Sequence, residues 1–93
     1  MNSYIYVIGT DKKPYKIGFS NKPARRLKDL QTGHPEQLTI HYLECIPKDQ
    51  VKFIEKSIHS VLRHRRAKGE WFDLELEEAI AEVKFARIRY LQD

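Results

Sequence analysis

Ninety-three residues with 41% hydrophobic content and ten aromatics suffice for one compact domain, 1–93, with a modest core, and leave no length for a second. No apolar run approaches the roughly 20 residues of a membrane-spanning helix, Met1-Asn2-Ser3-Tyr4 lacks the plan of a secretory leader, and the lone Cys45 excludes an internal disulfide; the expectation is a cytoplasmic protein, off the membrane, with an inert buried thiol. The net charge of +4 divides into 14 Lys/Arg against 7 Asp/Glu over residues 1–72, or +7, and 3 against 6 over residues 73–93, or −3, so the first part is suited to face a polyanion such as nucleic acid.

Residues 3–9 are rich in aromatic and β-branched types and predict a strand ending at Gly9. Asp11-Lys12-Lys13-Pro14 supplies a turn, and Tyr15-Lys16-Ile17-Gly18-Phe19 a second strand closing an antiparallel hairpin, with Gly18 marking a close approach of backbone. Ser20 or Asn21 caps a helix that tolerates Pro23 in its first turn, turns Ala24, Leu27 and Leu30 inward and stops at Gly33. Arg25, Arg26 and Lys28 take its other faces.

Leu38 to Cys45 predicts a third strand. Pro47 and Asp49 open a second helix with Val51, Ile54, Ile58, Val61 and Leu62 at helical spacing, running to about residue 65. Arg65-Arg66-Ala67-Lys68-Gly69 reads as a basic turn and Trp71-Phe72 as an apolar clamp on the last helix. That helix is led by Asp73, Glu75, Glu77 and Glu78, which suit the positive end of its dipole, and turns Leu76, Ala79, Ile80, Val83 and Ile88 or Ala86 inward. The expected fold class is α/β, of the α+β kind: a three-stranded antiparallel sheet flanked by helices in the order β-β-α-β-α-α.

Tyr4 and Tyr6 lie two apart and share one face of the first strand, with Ile5 and Val7 on the other. If the hairpin pairs residues whose numbers sum to an even value, such as 6 with 16, Lys16 emerges on the tyrosine face, where an ammonium would lower a phenol's pKa. Glu55 and His59 are i and i+4 on the edge of the second helix's apolar stripe. A carboxylate there can hold Mg²⁺ or Mn²⁺, and no spacing fits a zinc site. Taken alone, sheet tyrosines with wet hydroxyls, an edge-strand lysine and a solvated helical glutamate describe the same residues more simply.

In combination and order, Tyr4-Ile5-Tyr6-Val7-Ile8, Lys16-Ile17-Gly18, Arg25-Arg26-Leu27 and Glu55 resemble the GIY-YIG nuclease domain over essentially the whole chain. Tyr15-Lys16-Ile17-Gly18, Leu30-Gln31-Thr32-Gly33, Glu55-x-x-x-His59 and Gly69-Glu70-Trp71-Phe72 are similar to its phage and meiotically up-regulated branch. The resemblance implies an endonuclease that hydrolyses DNA with one divalent metal, Mg²⁺ or Mn²⁺. Tyr6 would be general base or water activator, Lys16 its assistant, Arg26 the phosphate-steadying cation, and Glu55 the metal ligand with His59 beside it. Tyr4 stands at the first motif's glycine and Lys16 at the second's tyrosine; no asparagine follows Asn21, a gap that Glu70 or Trp71 could fill.

The competing reading is a catalytically silent nucleic-acid-binding module of the same fold. Either reading puts Tyr4, Lys12, Lys13, Arg25, Lys28, Arg63, Arg65 and Arg66 at the substrate. Retention of Tyr6, Arg26 and Glu55 together favours the enzyme, because a pure binder has no use for a lone acid near DNA. Any DNA selectivity must come from the cleft, a partner protein or a homodimer.

Overall fold

The computed structural model describes residues 1–91. β1 (Asn2–Gly9) and β2 (Tyr15–Ser20) form the expected hairpin, pairing Tyr6 with Gly18 and Ile8 with Lys16. Both sums are even, so Lys16 does share the tyrosine face, but one pair further along than a 6–16 pairing would put it. β3 (Thr39–Pro47) pairs with the other side of β1, its register shifting between Val7 and Ile8. Two short strands, β4 (Arg66–Lys68) and β5 (Trp71–Phe72), correct the expected three-stranded sheet and element order. The sheet has five strands in the order β3-β1-β2-β5-β4, and every pairing is antiparallel. Strands of two and three residues carry no readable alternation, and the basic β4 looks like a turn. Gly69, at φ +56°, turns the chain between them.

The two sheet faces receive different cover. Ile5, Val7, Tyr15 and Ile17 pack beneath α2 (Val51–Val61) and α3 (Leu76–Tyr90) in one cluster with Ile54, Ile58, Phe72, Leu74, Ala79 and Val83. Tyr6, Ile8 and Leu38 face the other way, against Leu27 and Leu30 of α1 (Pro23–Gln31) and Trp71. Phe72 thus clamps α3, whereas Trp71, its neighbour in a strand, necessarily points to the α1 face and does not. α1 begins after Lys22 without a side-chain cap; Ser20 Oγ instead accepts the Lys22 N–H at 3.0 Å. α3 starts in a reciprocal capping box between Glu75 and Glu78.

Three inward placements, Ala24, Val61 and Cys45, are corrected by strand and helix phase. Ala24 and Val61 stand exposed, and of the alternatives Ile88 and Ala86 it is Ala86 that fills the core position, Ile88 being exposed. Cys45 is also exposed, because it pairs with Tyr4 and the buried Ile46 takes the inner position beside it. α2 stops at Val61, and a 3₁₀ turn, Arg63–Arg65, carries the chain into β4. Among the described residues no helix is long and apolar enough to cross a membrane.

Candidate active site

β5 is so short that it pairs with β2 only at Tyr15 and Lys16. Just beyond, the Ile17 N–H donates to the Glu70 carbonyl at 3.0 Å, which fixes the β4–β5 turn beside Gly18. A Cβ on Gly18 would run into the Tyr6 hydroxyl, lying 2.7 Å from Tyr6 Cζ and 3.0 Å from Glu70 Oε1. The missing side chain is therefore what lets a phenol from β1 and a carboxylate from the turn meet across β2.

From α1, Arg26 Nε donates to the Tyr6 hydroxyl at 3.4 Å. Burial pushes the phenol above its usual range, Arg26 pulls against it through its hydrogen bond and charge, and Glu70 and Glu55 push it further up. The expected lowering by Lys16 does not occur. Lys16, nearly buried, instead places Nζ 3.2 Å from Glu70 Oε1 and 5.8 Å from the centre of the Trp71 ring. It braces Glu70, and the cation on the phenol is Arg26.

From the opposite face, α2 delivers Glu55 and His59 one turn apart. Glu55 is only 8% exposed, and its carboxylate has no hydrogen bond and no ion pair among the described residues. Burial, then the Glu70 charge, push its pKa up to about 7, with Lys16 opposing. His59 Nε2 lies 2.7 Å from the Ile17 carbonyl; a carbonyl only accepts, so Nε2 carries a hydrogen, and Nδ1 is the nitrogen that offers a lone pair in the neutral ring. One ligand atom from each of Glu55, His59 and Glu70 lies within 4.8 Å of the others, so these three side chains can hold a metal ion.

A family model, the T5orf172 domain, matches residues 3–87. The chain belongs to the T5orf172 domain family. Searches of curated proteins and of solved structures found no match. In this T5orf172 domain Tyr6 and Glu70 lie against Gly18, Arg26 bonds Tyr6, Lys16 pairs with Glu70, and Glu55 and His59 bring ligand atoms near Glu70.

The residues expected at substrate divide. Arg25 and Lys28 stand exposed on α1, without an ion pair among the described residues, and Arg25 and Arg26 help line a groove of about 300 Å³ with Ser20, Asn21, Lys22 and Asp29. Tyr4, half-buried on the tyrosine face, pairs with Ser20. Lys12 is exposed in the β1–β2 turn. Lys13, however, is bridged to Glu75 at 3.3 Å and Asp73 at 3.8 Å. Arg65 bonds the Asp73 carbonyl at 2.9 Å and the Glu78 carboxylate at 3.2 Å, holding Glu78 below the usual carboxylate range. Arg63 donates to the Ser60 carbonyl, and Arg66 lies 5.7 Å over the Phe72 ring. The acidic start of α3 thus absorbs part of the positive charge counted in the sequence.

Glu70 is the site residue that sequence reasoning left out of its set. The Gly69–Phe72 segment signalled it, since Glu70 was a candidate for the missing asparagine's place. Its contact with Lys16 and its approach to Gly18 depend on the β2–β5 pairing, which no local pattern announces.

Proposed function

We propose that this chain is a divalent-metal-dependent DNA endonuclease that hydrolyses phosphodiester bonds by a GIY-YIG-type one-metal mechanism. The observation that carries the reading is that Glu70, beside Gly18, adjoins two groups: a phenol in contact with a guanidinium, and the partnerless carboxylate of Glu55. The resemblance in residue order and the T5orf172 match support the same reading.

A phosphodiester repels hydroxide, so its hydrolysis needs positive charge on the non-bridging oxygens, a base for water and help for the leaving 3′ oxygen. Arg26 holds the phosphate, its planar fork accommodating two oxygens. Tyr6 takes the proton of the attacking water as the phenolate, the form left once its own proton has gone to solvent. Its raised pKa makes that form a minor species at neutral pH, and the hydrogen bond from Arg26 stabilises the negative charge. Lys16 positions Glu70 rather than touching the phenol. The partnerless Glu55 fits a resident cation, and Glu55 would hold Mg²⁺ or Mn²⁺, which when bound supplies charge at the phosphate and the leaving oxygen.

Arg25, Lys28 and Lys12 contact flanking phosphates, with Tyr4 bordering the same face. Target choice comes from the cleft, a homodimer or a partner protein.

The test is cleavage of supercoiled plasmid and branched DNA with Mg²⁺ or Mn²⁺, wild type beside Glu55→Gln, with EDTA controls. Metal-dependent cutting lost in the variant, with DNA binding retained, is the expected result. No cutting by the wild type in either ion, with salt-sensitive binding retained, would overturn the enzyme in favour of the silent binding module.

A further inference from the structure

Glu55 is only 8% exposed as a residue, nothing donates a hydrogen bond to its carboxylate, no described cation lies within ion-pair distance, and its oxygens keep a narrow contact with solvent through which an ion can reach them. Buried carboxylates are normally paired, hydrogen-bonded or coordinated, because removal from water penalises the charged form. The side chains around this carboxylate indicate what is to satisfy it. His59 follows one helical turn later, on the same face. Its Nε2–H is anchored on the Ile17 carbonyl and its ring lies 5.0 Å from that of Phe72, so Nδ1 is the nitrogen left to coordinate. An imidazole whose other nitrogen donates to a backbone carbonyl is the usual arrangement of a metal-bound histidine. The same residue's N–H bonds the Glu70 carbonyl, so the Ile17 peptide groups fix the His59 ring and the Glu70 backbone.

We propose that Glu55, His59 and Glu70 form one three-ligand site, His59 binding through Nδ1, for a nitrogen-accepting first-row divalent ion, Mn²⁺ in preference to Mg²⁺. The inference rests on the reading of Glu55 as a metal anchor and extends it to two further ligands and to ion choice. Two ligands on one ion with bonds of about 2.0–2.2 Å can be no more than roughly 4.4 Å apart, while the present spread reaches 4.8 Å. The side chain that closes the difference is Glu70, 40% exposed on a turn, whereas Glu55 and His59 are held on α2. Glu70 Oε1 is engaged by Lys16, which leaves Oε2 for the ion. Two carboxylates and an imidazole suit Mn²⁺ and the later first-row ions, whereas Mg²⁺ favours oxygen donors and water.

The experiment is calorimetric titration of the full, metal-free chain with Mn²⁺ and separately with Mg²⁺, for wild type, Glu55→Gln, His59→Gln and Glu70→Gln. Pulsed electron paramagnetic resonance of the Mn²⁺ form, with and without isotope-labelled histidine, accompanies it. Wild type should bind one Mn²⁺ more tightly than Mg²⁺ and show histidine nitrogen coupling. Glu55→Gln should lose binding, and His59→Gln and Glu70→Gln should each weaken Mn²⁺ by roughly 10–100-fold. His59→Gln should also remove the nitrogen signal and the preference over Mg²⁺.

Mn²⁺ binding lost in Glu55→Gln but unchanged in the other two variants, without nitrogen coupling, would overturn the three-ligand site and leave Glu55 as sole anchor. Absence of binding by wild type would overturn both. Should His59→Gln fail to fold, the labelled wild type decides, since histidine coupling is either present at the Glu55-dependent ion or absent.

Discussion

On one face of the β1–β2 hairpin, Ile5, Val7 and Ile17 disappear beneath α2 and α3 into a cluster containing Ile54, Ile58, Phe72, Leu74 and Val83. On the other, Tyr6, Ile8 and Leu38 lie under a single nine-residue helix, α1, none of whose own residues is buried. The first face can bear most of the stability because large apolar side chains fill it from two helices. The second is thinly covered, which leaves Arg25, Arg26 and Lys28 at the surface directly above the phenol's side of the sheet. The candidate site takes from both: Tyr6 and Arg26 from the thin face, Glu55 and His59 from the packed one, with Glu70 near each set. Rigid positioning and access to a bulky substrate are thereby assigned to different layers.

The largest effect should come from breaking the packed face. Ile54→Ala deletes a fully buried side chain and should cost about 2–5 kcal/mol, whereas Leu27→Ala on half-buried α1 should cost well under half as much. Equal losses in urea denaturation would remove the distinction between the faces.

Breaking chemistry on the thin face should spare the fold. Tyr6→Phe should slow cleavage by a factor on the order of 10² or more with little change in the urea midpoint. Because the phenol is raised above its usual range, the base form is a minor species at neutral pH, so wild-type kcat/KM should climb steadily from neutral into alkaline pH. A flat profile, or full activity in Tyr6→Phe, would place the base elsewhere, with Lys16 next in line.

The boundary can be sharpened by pH. In the metal-free chain Glu55 has a pKa of about 7 folded against an ordinary 4.5, so between these values the folded state binds more proton than the unfolded one. Stability should therefore be fully present below about 4.5 and fall as pH rises to about 7, by about 2–3 kcal/mol at most. Glu55→Gln, which does not titrate, should lack that decline; parallel stability curves for the two proteins would show that Glu55 is not desolvated.

The smallest expected effect separates free from neutralised basic residues. Arg25→Gln should weaken DNA binding and reduce the salt slope by about 1. Lys13→Gln should do less, its charge being already met by Asp73 and Glu75. The reverse ranking would move the DNA track from α1 to the β1–β2 turn.

Elements long enough to express a period were determined by the sequence: the hairpin, α1, the third strand and both helices of the packed face. The hairpin register was left conditional by the sequence; the even one observed keeps Ile17 and Phe19 on the face of Ile5 and Val7, whereas an odd one would have turned Lys16 to that face and Ile17 to the tyrosines. Tyr6, Lys16, Arg26, Glu55 and His59 could be picked out only together and in order, through their resemblance to the GIY-YIG domain, since each alone reads more simply as a structural or solvated side chain. Tertiary structure alone decided the two outer strands, the exposure of Cys45, the turning of Trp71 away from α3 and the loss of Lys13 and Arg65 to acidic partners. It also exchanged the phenol's cation, Arg26 for Lys16, and brought in Glu70. Each of these depends on groups distant in sequence meeting across a sheet edge, and short charged segments carry no periodic signal of what they will meet.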